Sequence, residues 1–294
     1  MLRIERILCP VDFSESSARA YDSAQSLARH YQAKLFLQHV VDSALPSYAY
    51  YADAVYIIEF FQKIRDGARK QLQDFARSRT RSRVQPECFV HEGGVTESIL
   101  SFAAAQKVDL IVMGPHGHKG FDRVTLGSVA GKVLRKAPCP VLLSRKTGQG
   151  VAAPEGGQDS VHLQRVIFCT DFSDPAHRAW AYALSLAAEY DAEITLLHVL
   201  EGVQRLDNIQ EAIATATKQI DKLVPAQERE AAKIKTMVRI GRGYEQIIQF
   251  ASDIQANLVI MAVRARSALD LAVFGSTTYR TIQLGSCSVL AVHG

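Results

Sequence analysis

Glu5-Arg-Ile-Leu-Cys-Pro-Val-Asp12-Phe-Ser14 returns later in the chain as Gln164-Arg-Val-Ile-Phe-Cys-Thr-Asp171-Phe-Ser173, at an offset of 159 residues. In both places an apolar run is followed by Asp, Phe and Ser, which is typical of a buried strand that turns into a Ser-capped helix. Repetition of this kind indicates that the chain contains two copies of one unit.

The repeat extends over most of both copies. Residues 33–40 match 192–199 at the same offset, whereas Asp109-Leu-Ile-Val-Met113 matches Asn257-Leu-Val-Ile-Met261 at an offset of 148. The middle of the second copy has therefore lost 11 residues.

Between the copies lies a Gly-rich stretch that is poor in large apolar residues, which is typical of a flexible linker. We expect a first domain over residues 1–146, a linker over 147–162 and a second domain over 163–294.

Within each copy, β-branched runs alternate with segments of helical periodicity, which implies right-handed crossovers and a mainly parallel sheet. Each copy is predicted to be an open, five-stranded, Rossmann-like α/β sandwich, and the two are expected to be related by a pseudo-twofold axis. Strands of the first copy are predicted at 6–11, 34–41, 85–91, 108–113 and 141–144, with helices after Ser14 and at 54–79, 96–105 and 128–136.

The composition is that of a globular chain of 294 residues, 48% hydrophobic and 22% charged. Its apolar runs are strand-sized and fall short of the roughly 20 residues that span a membrane. No signal peptide is apparent, and we expect a cytoplasmic protein without membrane partners. The net charge of +4 is mild, and the one basic run, at 77–83, lacks interleaved aromatics, so nucleic acid is not an expected partner.

The five cysteines form no C-x-x-C pair and lie mostly in apolar segments, where a thiol behaves as a small hydrophobe. We expect buried, reduced thiols at Cys9, Cys88, Cys139, Cys169 and Cys287.

The loop after the fourth strand carries the main functional signal. It reads Gly114-Pro-His-Gly117, nine residues, and Gly127-Ser128. Such glycines allow positive φ or close approach of the backbone to a ligand, and the helix that starts at Ser128 favours an anion. Ligands of open α/β sheets sit at this edge, where Asp12 and Val40 also lie. By spacing alone, however, an ordinary loop with turn glycines fits equally well.

Val11-Asp12-Phe13-Ser14, His39-Val40, the glycine motif and Ala137-Pro-Cys-Pro-Val-Leu-Leu together resemble the universal stress protein family. The likeness covers nearly all of both copies and indicates a tandem member. It implies that ATP, or a related adenine nucleotide, is held with adenine near the ends of the first two strands. Asp12 and Val40 would then contact adenine or ribose. The loop residues around ribose and phosphates would be Met113, Gly114, His116, Gly117, Gly127, Ser128 and Val129.

The second copy departs from this pattern. Ala262 and Ala265 replace the first two glycines and add methyl groups where the backbone should approach the ligand. We therefore expect one competent and one altered site, with Arg264 as a candidate phosphate partner in the latter. The positions that still match are Asp171, Val199, Gly275 and Ser276.

Competing motifs fail on their context. Gly131-Lys132 continues to Val133, which excludes a Walker-type phosphate loop. His116 and His118 have no neighbouring ligands and align with arginines, so no metal site is expected, although Mg²⁺ would accompany ATP.

Two further features have structural interpretations. His39 and His198 lie late in apolar strands and are interpreted as hydrogen-bonded core histidines. Gly241-Arg-Gly243 lacks the third glycine of a dinucleotide fingerprint, and its glycines are assigned to a turn.

The sequence thus predicts a stress-response or signalling protein that binds an adenine nucleotide, has no catalytic residues and is not an enzyme. One alternative is a slow ATPase in which Asp12 or His116 orients water. Another is a nucleotide-free scaffold, in which the last strands of the two copies, 141–144 and 289–292, pair with each other and cover two sheet edges. A homodimer is a separate expectation. The sequence names no protein partner.

Overall fold

A computed structural model describes residues 3–42, 54–80, 84–117, 126–145, 163–202, 206–224, 229, 233–263 and 275–293. The first unit contains β1 (Arg6–Pro10), α1 (Glu15–Tyr31), β2 (Lys34–Val41), α2 (Ala54–Arg79), β3 (Glu87–Glu92), α3 (Val95–Ala105), β4 (Leu110–Met113), α4 (Ser128–Lys136) and β5 (Val141–Leu143). The second contains β6 (Arg165–Cys169), α5 (Asp174–Glu189), β7 (Glu193–Leu200), α6 (Leu206–Leu223), β8 (Ile234–Ile240), α7 (Gly243–Asp253), β9 (Leu258–Val263), α8 (Ser276–Leu284) and β10 (Ser288–His293).

All ten strands belong to one sheet, in the order β3-β2-β1-β4-β5-β10-β9-β6-β7-β8. Pairing is parallel within each unit and antiparallel between β5 and β10, where Leu142 faces Leu290. The predicted α/β class is confirmed, and the two five-stranded sheets are joined edge to edge through their last strands. Because the junction is antiparallel, the strands of the two units run in opposite directions.

Local sequence explains how each unit begins. In α1, the Ser14 hydroxyl accepts a hydrogen bond from the Ser17 N–H at 3.2 Å, and small apolar residues bury one side of the helix against the sheet. In α5, Pro175 occupies the first turn, where its missing N–H costs nothing. Strands β1 and β6 are almost wholly buried, as expected for a parallel sheet covered on both faces.

Two strands begin later than the sequence pattern suggests. β3 starts at Glu87 and β4 at Leu110. Before β4, Lys107 has a φ of 50°, and the Asp109 carboxylate accepts hydrogen bonds from the N–H groups of Glu5 and Arg6, each at 2.9 Å. Asp109 therefore ties β4 to the segment that leads into β1 instead of extending the strand.

The apolar core is continuous across the two units. Leu27, Leu142, Leu186 and Leu290 belong to one buried cluster that contains residues of both halves. At the ends of α1 and α5, equivalent positions meet: His30 Nε2 lies 2.9 Å from Glu189 Oε1. Burial of this shared surface holds the two units together.

Two side chains link each unit to the last helix of the other, and we call them the crossed caps. Arg145, after β5, donates through Nη2 to the carbonyl oxygens of Ile282 and Gln283 in α8. His293, at the end of β10, bonds through Nε2 to the Leu134 carbonyl oxygen of α4 at 2.7 Å. Both side chains satisfy carbonyls that a helix leaves unpaired in its last turn.

None of the helices in the described parts of the chain combines the length and the apolar character needed to cross a membrane.

Candidate functional site

The candidate site of the first unit lies at the carboxyl ends of β1, β2 and β4, where the strand order reverses. Asp12 follows β1, Val40 lies near the end of β2, and the buried Met113 ends β4 immediately before Gly114. The structure therefore brings these sequence-predicted residues to one edge of the sheet. Residues 118–125 of the glycine loop, including His118, lie outside the described residues.

Asp12 shapes the turn between β1 and α1. Its Oδ1 accepts hydrogen bonds from the Ser14 N–H at 3.0 Å and from the Ser14 hydroxyl at 2.6 Å. Phe13, between them, adopts a φ of 65°, a left-handed conformation that is uncommon for a bulky residue. The carboxylate is thus held in a fixed orientation at the mouth of the site.

The second unit repeats this turn. Asp171 Oδ1 accepts from the Ser173 N–H at 3.1 Å and from its hydroxyl at 2.5 Å, and Phe172 has a φ of 58°. Backbone strain conserved between the two copies of one chain indicates that the surrounding contacts enforce it.

His39 and His198 provide those contacts. His39 Nδ1 lies 2.8 Å from the Val11 carbonyl oxygen, and its ring centroid lies 4.4 Å from that of Phe13. His198 Nδ1 lies 2.9 Å from the Thr170 carbonyl oxygen, with its ring 4.5 Å from that of Phe172. The predicted hydrogen bonds of both histidines are present, but neither is a core residue, since both are half-buried.

The glycines of the loop allow close approach of the backbone to its neighbours. None of the three, Gly114, Gly117 or Gly127, has a positive φ. A Cβ at Gly114 would lie 2.9 Å from the backbone carbonyl carbon and oxygen of Ser16, at the start of α1. A Cβ at Gly117 would lie 2.6 Å from Asp12 Oδ2. Gly114 is therefore required by packing inside the protein, and Gly117 by its approach to the site carboxylate.

The end of the motif forms the start of α4. The Gly127 N–H donates to the Pro115 carbonyl oxygen at 2.8 Å, which closes the described ends of the loop on each other. Ser128 is exposed and Val129 is half-buried. First-turn N–H groups lack partners within their helix and favour an anion. His116, half-buried, lies in the same closed segment.

In the second unit the equivalent edge of the sheet forms a cleft of about 400 Å³. Asp171, Val199, Gly275 and Ser276 all line it, so four of the five second-unit candidates come together there. The fifth, Arg264, lies outside the described residues, as does Ala265. This volume is within the range of small-molecule sites.

The methyl of Ala262 is accommodated in the second unit. β9 continues through Ala262 and Val263, which pair with Val292 and His293 of β10. Ala262 is half-buried against the core, and Pro175 stands in α5 at the position equivalent to Ser16. The altered motif therefore coincides with a longer strand and a different helix start.

The lining residues of this cleft that were not predicted from the sequence include Glu201, Gly243 and Thr277. Glu201 Oε1 accepts a hydrogen bond from the Gly243 N–H at the start of α7. The turn interpretation is right for Gly241, whose φ is 142°, but wrong for Gly243, which begins the helix. A Cβ at Gly243 would lie 2.6 Å from Glu201 Oε1, a contact between segments 42 residues apart that no local pattern signals.

Neither thiol nor metal chemistry is indicated within the described residues. All five cysteines are free, and burial raises the pKa of Cys169, which lines the second cleft, so its thiol stays protonated. No group of three or more His, Cys, Asp or Glu side chains in the described ranges could hold a metal ion.

Both halves of the chain match one family of known proteins. The model of the universal stress protein family matches residues 3–145 and again 162–293. Universal stress protein YxiE of Bacillus subtilis is 34% identical over 145 residues, which are 48% of this chain and 98% of that protein. Universal stress protein MJ0531 of Methanocaldococcus jannaschii is 30% identical over 142 residues, 48% of this chain and 82% of that protein.

Solved structures resemble the whole chain. A universal stress protein from Archaeoglobus fulgidus has a TM-score of 0.67 at 19% identity and covers 98% of this chain and 96% of its own. A protein from Pseudomonas aeruginosa, described as a putative universal stress protein, has a TM-score of 0.63 at 17% identity and covers 99% of this chain and 93% of its own. The arrangement of two units in one chain is therefore a recurring fold.

Proposed function

Because the chain belongs to the universal stress protein family, with two copies of the family's unit, we propose that it is a cytoplasmic stress-response protein that binds ATP or a related adenine nucleotide, mainly in its first unit. The proposal concerns binding without turnover. The second unit contributes an altered cleft.

One observation carries the proposal. At Gly117 the glycine loop approaches Asp12 so closely that a Cβ would lie 2.6 Å from the carboxylate. The segment suited to phosphates thus meets the segment suited to adenine and ribose, and a residue without a side chain permits this close approach.

The remaining residues have complementary roles. Val40 would contact adenine through its backbone, and Met113 would line the same site from the end of β4. Gly114 keeps the loop against α1, and Gly127, Ser128 and Val129 present helix N–H groups to phosphate oxygens. His116 lies on the phosphate side, and Mg²⁺ would accompany the phosphates in solution.

Slow hydrolysis is the first alternative, with Asp12 or His116 orienting water. Binding alone is favoured because Asp12 Oδ1 already accepts two hydrogen bonds from Ser14, which fix the carboxylate as part of the turn. Efficient phosphoryl transfer also uses an arginine or a metal ion that holds and stabilises the transferred phosphoryl group.

A scaffold that works without nucleotide is the second alternative. The observation that favours it is the antiparallel pairing of β5 with β10, which covers two sheet edges. Strand pairing and nucleotide binding use different parts of each unit. Measuring the bound nucleotide therefore distinguishes a scaffold from a nucleotide-binding protein.

The test begins with the nucleotide content of the purified protein, measured by mass and absorbance after denaturation, followed by calorimetric titration with ATP. We expect ATP to bind the first unit. Gly117→Val should weaken ATP binding at least about tenfold, because the new side chain would clash with Asp12 Oδ2 and push the loop and the carboxylate apart. The matched control is Ala265→Val, at the equivalent position of the second copy, which should leave the first site within about twofold.

Protein that is empty after purification and does not respond to ATP would contradict the proposal and favour the scaffold. Equal ATP affinity in the Gly117→Val variant would show that the site is elsewhere. ATP turnover above about one per hour would favour the slow ATPase, given that typical enzymes turn over about ten times per second.

A further inference from the structure

Helix α4 contains one buried carbonyl group that its own chain segment cannot satisfy. In its last turn, the Val133 carbonyl oxygen accepts a hydrogen bond from the Ala137 N–H at 2.8 Å. The next carbonyl, that of Leu134, would need the N–H of residue 138, which is Pro138 and has none. Because Leu134 is fully buried, an unpaired carbonyl there would destabilise the protein. The helix therefore needs a donor from another part of the chain.

The second unit provides this donor. His293 Nε2 lies 2.7 Å from the Leu134 carbonyl oxygen, and because a carbonyl can only accept, Nε2 carries the proton of this bond. His293 ends β10, where it pairs with Val263 of β9. The sheet of the second unit thus holds the ring against the end of a helix that belongs to the first.

The opposite end of α4 forms the phosphate side of the proposed nucleotide site. The helix covers only Ser128–Lys136 and is about 14 Å long. At its start, the Gly127 N–H donates to the Pro115 carbonyl oxygen at 2.8 Å. A helix this short tilts as one rigid piece, so the contacts at both ends set the direction of its free first-turn N–H groups. One of these contacts comes from the first unit and the other from the second.

The equivalent contact at the end of α8 has a different chemical basis. Arg145, at the equivalent position of the repeat, donates to the carbonyl oxygens of Ile282 and Gln283. Ser286, which has a backbone N–H, stands where the first unit has Pro138. Each crossed cap can therefore be removed separately, and only one of the two binds α4.

We propose that His293 of the second unit is a positioning residue for the nucleotide site of the first unit. By binding the Leu134 carbonyl, the ring fixes the tilt of α4 and thereby the direction in which the N–H groups at Ser128 and its neighbours meet a phosphate. The inference rests on the proposed function, because it concerns the site in which ATP is expected. It makes that site depend on a residue 159 positions beyond Leu134.

The test is calorimetric titration of ATP into the full chain with a matched pair of substitutions. His293→Leu keeps a buried side chain of similar size but removes the donor, whereas His293→Gln keeps a donor that can reach the same carbonyl. We expect His293→Leu to weaken ATP binding about three- to tenfold, and His293→Gln to stay within about twofold of the wild type. Circular dichroism at the titration temperature verifies that each variant is folded, so that the comparison measures affinity and not stability.

Arg145→Met is the control for a general weakening of the contact between the units. It removes the cap of α8 but keeps the aliphatic stem, and ATP affinity in the first unit should stay within about twofold of the wild type.

Hydrogen exchange locates the effect in the molecule. ATP should protect the backbone N–H groups of residues 127–130, at the start of α4, and at equal ATP concentration this protection should be smaller in His293→Leu than in His293→Gln.

Unchanged ATP affinity in His293→Leu, or an equal loss in Arg145→Met, would overturn the inference and leave the proposed function standing. Weak binding by His293→Gln would also overturn it, because the donor would then not be the decisive group. If His293→Leu does not fold, His293→Asn, whose amide is too short to reach Leu134, takes its place with the same expectation. If the wild-type protein binds no ATP, the proposed function fails, and the inference fails with it.

Discussion

At position 114 the protein has no room for a side chain, because the loop after β4 packs directly on the start of α1. We expect Gly114→Ala to destabilise the protein by about 1–3 kcal/mol, since the new methyl would lie 2.9 Å from the Ser16 backbone. Urea denaturation measures the change.

The matched control is the reverse substitution at the equivalent position of the second unit. Ala262→Gly removes a methyl that is already accommodated, so its cost should stay at or below about 1 kcal/mol. If Gly114→Ala is as stable as the wild type, the packing explanation for this glycine is wrong.

At this scale the sequence identified the important positions but not always their partners. Gly114 and Gly127 could be selected from their spacing, yet the contact of Gly114 with Ser16 depends on how α1 lies against the loop. Glu201 and Gly243 were missed for the same reason, since they meet only after β7 and α7 are placed side by side. Local patterns report backbone preferences, whereas these contacts arise from tertiary packing.

Among the elements, the last helices α4 and α8 depend on the opposite unit for their final hydrogen bonds. Each starts at a glycine motif, at Gly127 or Gly275, and ends at a crossed cap, His293 or Arg145. The two caps occupy equivalent positions in the repeat but differ in chemistry, because arginine keeps its charge at any physiological pH and histidine does not.

We predict that His293 makes stability depend on pH. Burial lowers its pKa below the usual value of about 6.5, so the folded protein disfavours the charged ring. As the pH falls below about 6.5, the unfolded chain takes up this proton more readily than the folded one. The stability that the neutral His293 ring contributes is therefore fully present above that pH, and it is lost as the pH falls towards the lowered pKa.

Urea denaturation between pH 5 and 8 measures this loss, with the range set by the usual histidine pKa of about 6.5. His293→Gln should remove this part of the pH dependence, because the amide donates to Leu134 without titrating. The control is His177→Gln, a change at an exposed histidine of α5, which should leave the slope unchanged. An identical slope in His293→Gln and wild type would contradict the assignment.

The elements themselves were largely predictable. The periodicity placed α2 and α4 at their observed bounds, whereas β3 and β4 begin two residues later than expected. The shift before β4 comes from the left-handed Lys107 and from the bonds of Asp109 to the Glu5 and Arg6 N–H groups. A count of apolar residues does not distinguish a strand residue from one that ties two strands together.

On the scale of the whole molecule, one sheet and one shared core make the two units energetically dependent on each other. We predict a single thermal unfolding transition, with equal calorimetric and van't Hoff enthalpies. Differential scanning calorimetry measures both. Two resolved transitions would show that the units unfold independently.

A cut in the linker tests the same interface without relying on unfolding. With a protease site inserted between residues 147 and 162, the cleaved halves should stay together on gel filtration, held by the β5–β10 pairing and the crossed caps. The uncleaved variant is the control. Separation of the halves on cleavage would contradict the prediction.

The repeat made the two-unit architecture predictable, and the last strands were candidates for pairing. The pairing of those strands within the chain was expected, because it covers two exposed sheet edges. Contacts between unlike residues at equivalent positions, such as His30 with Glu189, become visible only when both units are in place.

The antiparallel junction of β5 with β10 has one more consequence. Since the carboxyl ends of the strands point in opposite directions in the two halves, the candidate sites of the two units lie at opposite ends of the strands. A protein that docked over one of these sites would therefore leave the other uncovered.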